Sequence, residues 1–410
     1  MVKFIPIKGY LPTAENFESV CAPPYDVLNS REAYELAGNN PKSFLNVTKP
    51  EISIADFDYE DKKALYKDDV YAAARINLEK FIDQGLLVQS EEPTYYVYSQ
   101  QMGDHVQYGI IGGASTDDYD NSIIKLHEKT RQCKEDDRVR HVQTTGAHTG
   151  PVFLTYEDVS AIDEYVENIV KNDPVRYHVD ADGVEHRVWF IEDPEFLLNQ
   201  FQNVPFSYVA DGHHRAKSAS RVAASLGEGD QSFLAVMFPA TQLKIIDYNR
   251  VLMDFNGHTA EQFIDFMEQR FEMTKVTEEE AHPTERRHFS MFIGDEWFYL
   301  KFKDLHLINN EDPVASLDTQ ILTEQVLTPF FGIEDLRTAN NIKFVGGTRG
   351  YSALSDAVKQ GDAVAFGLFP VSIQELMSIA DAGKLMPPKS TWFVPKLASG
   401  VCVNVFDHPQ

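Results

Sequence analysis

Short apolar and aromatic runs alternate with stretches of helical period along most of the chain, which predicts a mixed α/β (α+β) protein with strands at its centre. Residues 4–7, 95–101, 106–114, 151–156, 185–191, 206–210 and 232–238 read as strands. The pair 95–101 and 106–114 forms a hairpin across Met102-Gly103-Asp104-His105. Residues 29–37, 70–84, 161–171 and 194–201 carry apolar positions at helical spacing, and 43–48 reads as a further strand. The run 56–69 is densely charged and predicts a solvated helix or the approach to one. A short strand is also expected at 243–247.

From Asn249 the pattern restarts: helix 260–270, hairpin 288–302, helix 318–331, strand 341–345, helix 351–360, strand 363–370, helix 372–382 and strand 400–406. Two domains are therefore expected, an N-terminal α/β domain over 1–248 and a C-terminal α/β domain over 249–410.

Within this pattern one stretch concentrates chemistry. The apolar strand 206–210 runs into Asp211-Gly212-His213-His214-Arg215, then into a helix marked by Ala216, Ala219, Ala223 and Leu226 and stopped by Gly227. A helix opening just past a strand presents unpaired N–H groups and its positive dipole end, a good site for an anion. Gly212 permits close approach of backbone to a ligand, and Arg215 has the fork geometry that grips phosphate or carboxylate. Lys217 and Arg221, four apart, add positive charge. His213 and His214 are suited to moving protons near neutral pH or to holding a metal. Asp211 reads equally as an N-cap or as a functional carboxylate.

Three further stretches carry candidate chemistry. Pro23-Pro24 fixes the presentation of Tyr25 and Asp26, expected substrate contacts. His127-Glu128-Lys129-Thr130-Arg131, with residues 134–141 after it, combines base, carboxylate and cations, although Arg131 breaks the H-E-x-x-H zinc pattern and a solvated helix face produces similar clusters. The loop 386–396 offers Lys389, Ser390 and Thr391 between prolines, and Gly346-Gly347-Thr348-Arg349-Gly350 is a glycine-rich turn without the Walker lysine.

Composition narrows the classes of function. At 43% hydrophobic and 12% aromatic the 410 residues predict folded domains rather than disorder, and a net charge of −26 argues against nucleic acid or anionic membrane as partner. Cys21, Cys133 and Cys402 are scattered, so neither a disulfide framework nor a thiolate zinc site is expected. No leader or membrane-span pattern stands out, and a cytoplasmic protein acting on a small molecule, possible as a homodimer, is the expectation.

Four blocks in order, Ala22-Pro23-Pro24-Tyr25-Asp26-Val27, His127-Glu128-Lys129-Thr130, Ala210-Asp211-Gly212-His213-His214-Arg215 and Met386-Pro387-Pro388-Lys389-Ser390-Thr391-Trp392-Phe393, resemble the signature of the family catalogued as domain of unknown function 1015. More distantly, residues 212–219 are similar to the G-E-R-R-x-R-A-A phosphate-binding segment of the ParB/sulfiredoxin-like fold, matching at Gly212, Arg215 and Ala219. That resemblance implies a ParB/sulfiredoxin-like core with a second α/β domain. It also implies a nucleotide, ADP or ATP ahead of CTP, bound with Mg²⁺ and its phosphates on the helix N-terminus, as in the fold's free-serine kinases. The implied activity is phosphoryl transfer to a small molecule such as an amino acid. In that reading Gly212, Arg215, Lys217, His127 and Lys389 hold the nucleotide, Asp211, His213, His214 and Glu128 are catalytic, and Asp211 and Glu128 contact the metal. Two alternatives stand beside it. One is a metal-dependent phosphoester hydrolase using His127, Glu128, Asp211, His213 and His214, and the other is a non-catalytic nucleotide-binding regulator.

Overall fold

The computed structural model describes residues 1–61, 63–227 and 231–406, so that Lys62, inside the charged run 56–69, lies outside the described residues. The chain is mixed α/β and divides into two compact units. One comprises 1–126, 130–243 and 395–410, the other 127–129 and 244–394. The first unit closes through its late segment: Tyr10 N donates to the Val403 carbonyl at 2.8 Å, and Asn404–Val405 pairs with Ala147–His148. A reading by chain order has no signal for that return, and the predicted strand 400–406 shortens to those two residues. Among the described residues no helix is long and apolar enough to cross a membrane.

The first unit is built on a nine-stranded sheet. From one edge its order is Ile124–Lys125, Ser207–Asp211, Val152–Tyr156, Ser232–Pro239, His105–Ser115, Tyr96–Met102, Glu185–Phe190 and Arg176–Val179, with Phe4–Ile5 also pairing to His105–Ser115. Ser207–Asp211 runs parallel to Ile124–Lys125 and Val152–Tyr156 parallel to Ser232–Pro239, while the other pairings are antiparallel. The central strands are apolar because both faces are covered, and Leu154, Val209, Ala235 and Met237 are fully buried in one cluster with Ile162, Leu197 and Phe201 from the covering helices. Gly109 exists for the packing of this sheet: a Cβ there would stand 2.6 Å from both Phe238 Cζ and Val236 Cγ1.

The second unit is organised by a six-stranded antiparallel sheet. Its order is Phe271–Val276, Glu296–Phe302, His288–Ile293, Val364–Leu368, Tyr248–Leu252 and Ile342–Gly346. The helix expected at 318–331 forms, but as Asp318–Leu322, a π-helical turn Thr323–Leu327 and Thr328–Phe331, ended by left-handed Gly332.

One element is corrected. Residues 43–48 are a turn of helix, Leu45–Thr48, rather than a strand. Tertiary packing overrides the β-prone composition here: Phe44, Leu45 and Val47 are fully buried against Leu78 and Phe81 of the helix Asp68–Asp83, and Asn77 Nδ2 donates to the Asn46 carbonyl at 2.7 Å. The same turn is locked by His141 from the helix Gln132–Thr145, whose Nε2 donates to the Val47 carbonyl at 3.0 Å. Burial pushes the His141 imidazole down from 6.5 to about 4, with Arg138 adding to the effect, so the ring is neutral at physiological pH.

Two measurements check this account. Gly109→Ala should destabilise the first unit by about 1–3 kcal/mol in denaturant titrations, the usual cost of overpacking. As for pH, the unfolded chain binds a proton at His141 near pH 6.5 and the folded chain near 4, so stability should fall as pH drops through that window. Replacing His141 by Gln should flatten the pH dependence between pH 6 and about 4.5 by up to about 1.4 kcal/mol per pH unit.

Candidate functional site

The strand Ser207–Asp211 loses register against Val152–Tyr156 between Val209 and Asp211, so Asp211 is re-aimed at the strand end. Gly212 follows at φ 95°, a left-handed conformation that side chains rarely adopt, and the 14-residue helix His213–Leu226 begins at once without a side-chain cap. The glycine has a second reason. A Cβ on residue 212 would lie 3.0 Å from Arg215 Nε and 3.1 Å from its Cζ, because the guanidinium folds back against the bare α-carbon.

Arg215 is the hub of the first unit's polar cluster. Its side chain is 9% exposed, Nη2 donates to Asp211 Oδ2 at 2.8 Å and to Asp26 Oδ2 at 3.4 Å, and Nη1 donates to the Pro151 carbonyl. Nε is buried with no hydrogen-bond partner among the described residues. On the other side of Asp211, Lys396 Nζ stands 3.2 Å from Oδ1. Burial alone would raise the Asp211 carboxyl, but Lys396 and Arg215 outweigh it and hold the group well below the usual carboxylate range. Asp211 is thus ionised at any physiological pH. Lys396 is itself fixed by buried glutamines: Gln107 donates to Gln100 at 3.0 Å, and Gln100 to the Lys396 carbonyl at 2.7 Å.

A second layer adjoins it. Arg138 lies over the Tyr25 ring at 4.3 Å and pairs with Asp137 at 2.8 Å, and Asp137 accepts from the Tyr71 hydroxyl at 2.8 Å. Burial pushes the Tyr25 hydroxyl up to about 12 and the His148 imidazole down to about 4, leaving both neutral. Arg138 and Arg215 share with Tyr25, His141 and His148 the lining of a small cavity, about 30 Å³.

The structure therefore brings Asp26, Asp211, Gly212 and Arg215 together, with Tyr25 beside Arg138. His214 Nε2 accepts from the Arg131 amide at 3.0 Å, so its ring proton sits on Nδ1 when the ring is neutral. His213, at the first helical position, is 7% exposed. Lys217 Nζ lies 5.8 Å from the Tyr119 ring, and Arg221 pairs with Glu135 and Asp136 at 3.2 and 2.7 Å, joining two helices rather than serving an anion. Three expected site residues belong to the second unit: His127, whose Nε2 is 3.3 Å from Thr391 Oγ1; Glu128, which lines a cavity there; and Lys389, 5.6 Å from the Tyr248 ring. Among the described residues no group of three or more His, Cys, Asp or Glu side chains is placed to hold a metal ion.

Sequence reasoning missed Lys396, and it left Arg138, Asp137 and His141 inside a cluster with a solvated-face alternative. A signal was present: Glu135, Arg138, His141 and Thr145 recur at helical spacing, and on this helix that polar stripe lies on the inner face. Lys396 carried the same proline-fixed context as Lys389, with nothing in the sequence to rank one above the other.

Among solved structures, a variant of free serine kinase in complex with AMP aligns at 14% identity over 74% of this chain and 88% of its own, with a TM-score of 0.37. SbnI with a C-terminal truncation from Staphylococcus aureus aligns at 14% identity over 70% and 85%, TM-score 0.38. A conserved hypothetical protein from Pyrococcus furiosus aligns at 14% over 71% and 93%, TM-score 0.35. No curated protein sequence matches the chain. The family model described as protein of unknown function (DUF1015) matches residues 4–320, and the chain belongs to that family.

Proposed function

We propose that the first unit binds a nucleotide by its phosphates at Gly212–Arg215 and that the protein transfers a phosphoryl group from it to a small acceptor. The observation that carries this reading is the buried Arg215 fork, held against the N-terminus of an uncapped helix with its Nε unbonded. A helix start offers free N–H groups and a positive dipole end, and a guanidinium adds two parallel donors, which is what a phosphate requires. The likeness of residues 212–219 to a phosphate-binding segment points the same way.

Phosphoryl transfer needs positioning and charge neutralisation more than covalent chemistry, and Mg²⁺ carried with the nucleotide would supply part of that neutralisation. The chain's own residues divide the rest. Gly212 and the following amides hold phosphate oxygens, and Arg215 clamps them. Asp211 is too acidic to be an efficient general base near neutral pH, so its part is to orient Arg215 and Lys396. His213 and His214 orient the acceptor or donate to the transferring group, with His214 offering Nδ1–H. Asp26, paired to Arg215 at the greater distance, yields to the incoming anion and turns to the acceptor together with Tyr25.

Thermal-shift titration against ADP, ATP, CTP and GTP with Mg²⁺ tests the reading. An adenine nucleotide should stabilise the protein, Arg215→Ala should weaken its binding at least about tenfold, and Arg215→Lys should recover only part of that because the fork is lost. Asp26→Asn should leave nucleotide stabilisation in place while reducing transfer to amino-acid acceptors such as serine. Nucleotide stabilisation unchanged in Arg215→Ala, with the variant folded, would exclude the clamp.

A further inference from the structure

The second unit holds a larger cavity, about 310 Å³, which falls in the range of small-molecule sites. Its walls come from two stretches of the sequence that the phosphate site at Gly212–Arg215 does not use, Glu128 with Lys129 and Met386 with Pro387 and Pro388. These stretches lie far apart along the chain and are joined directly: Met386 N donates to the His127 carbonyl at 2.8 Å, and His127 Nε2 stands 3.3 Å from Thr391 Oγ1. Thr323, where the helix 318–331 widens into its π turn, also faces the cavity. A π turn departs from regular α-helical hydrogen bonding and is frequent at functional sites.

The charges around the cavity select a ligand. Asp335 and Arg337 neutralise each other through a forked pair, with contacts of 2.6 and 2.9 Å. Glu334 has no ion pair among the described residues, and Lys129 is exposed, acting on Asp335 only through its field. Glu128, the remaining acidic side chain of the wall, has a partner of its own, so Glu334 and Lys129 are the carboxylate and the ammonium left to meet a ligand, over apolar walls from Leu336, Leu385 and Met386. An anion alone would leave Glu334 unanswered, and a cation alone would leave Lys129 so. We propose that this cavity binds a free α-amino acid with an apolar side chain, its ammonium at Glu334, its carboxylate at Lys129 and its side chain against Met386 and Leu336. The proposal shares no residue with the phosphate site, so either can fail without the other.

Isothermal titration of the full-length protein with L-leucine tests it, beside two probes that each lack one charge, 3-methylbutylamine and 4-methylpentanoate. Leucine should bind in the millimolar range or tighter, and each analogue should bind more weakly. E334Q and K129M should each weaken leucine about threefold or more, the scale of a partly exposed ion pair, with nucleotide-induced stabilisation unchanged. Absence of leucine binding at millimolar concentration overturns the proposal. So does equal binding by wild type and both variants, or equal binding of either analogue.

Discussion

A guanidinium taken out of water has to be answered by anions or carbonyls placed to meet each donor, and in the first unit nearly every nearby feature follows from answering Arg215. Asp211 and Asp26 supply charge and the Pro151 carbonyl supplies an acceptor. Asp211 can reach only because the strand slips register before it, and the guanidinium can fold back only because residue 212 has no side chain. Lys396 then keeps Asp211 from carrying one cation alone, balancing the second carboxylate charge that Asp26 brings. The result is an alternation of charge around one buried guanidinium, in which removing Asp211 leaves Arg215 to bear the desolvation cost with only the longer contact to Asp26 and the Pro151 carbonyl to offset it.

The sheet supplies the rigidity on which that alternation depends. Asp211 ends a strand paired on both sides, Pro151 immediately precedes the neighbouring strand Val152–Tyr156, and Lys396 is tied through Gln100 to the strand Tyr96–Met102. Three of the cluster's anchors are thus referred to one sheet. Asp26 is the exception. It sits on a single turn, Tyr25–Val27, after two prolines, and at 3.4 Å it makes the longer of the two carboxylate contacts to Arg215. A partner held by a short turn is the one that, on the proposed reading, would exchange for a ligand.

Much of this was legible in the sequence, for physical reasons that also mark where it stopped. Strand, glycine and helix around 207–226 follow from local pattern, because an apolar run, a left-handed turn and alanine periodicity each have a short-range cause. The Ser43–Thr48 stretch failed because its apolar residues are buried on all sides, and a short buried run carries no period to tell helix from strand. Arg221 read as a ligand cation because its acidic partners sit on another helix, 85 and 86 residues away in the chain. Lys396 could not be singled out for the same reason: its partner Asp211 lies 185 residues earlier, and only the fold brings the two together.

The chain's charge bears on how such a site can work. A net charge of −26 disfavours the long-range approach of any anion, yet salt screens that field beyond roughly 8 Å at physiological ionic strength. Affinity for a phosphate must then come from contacts made inside that distance, where Arg215 and Lys396 are ordered and largely shielded from water. Ordering two long cationic side chains costs conformational entropy, and Asp211 meets that cost in the folded protein before any ligand arrives. A site of this design discriminates by shape. On the proposed reading, an anion that could not match the Arg215 fork and the helix amides together would have no compensation for displacing Asp26, whereas one that matched both would replace a 3.4 Å contact with shorter charge-assisted bonds.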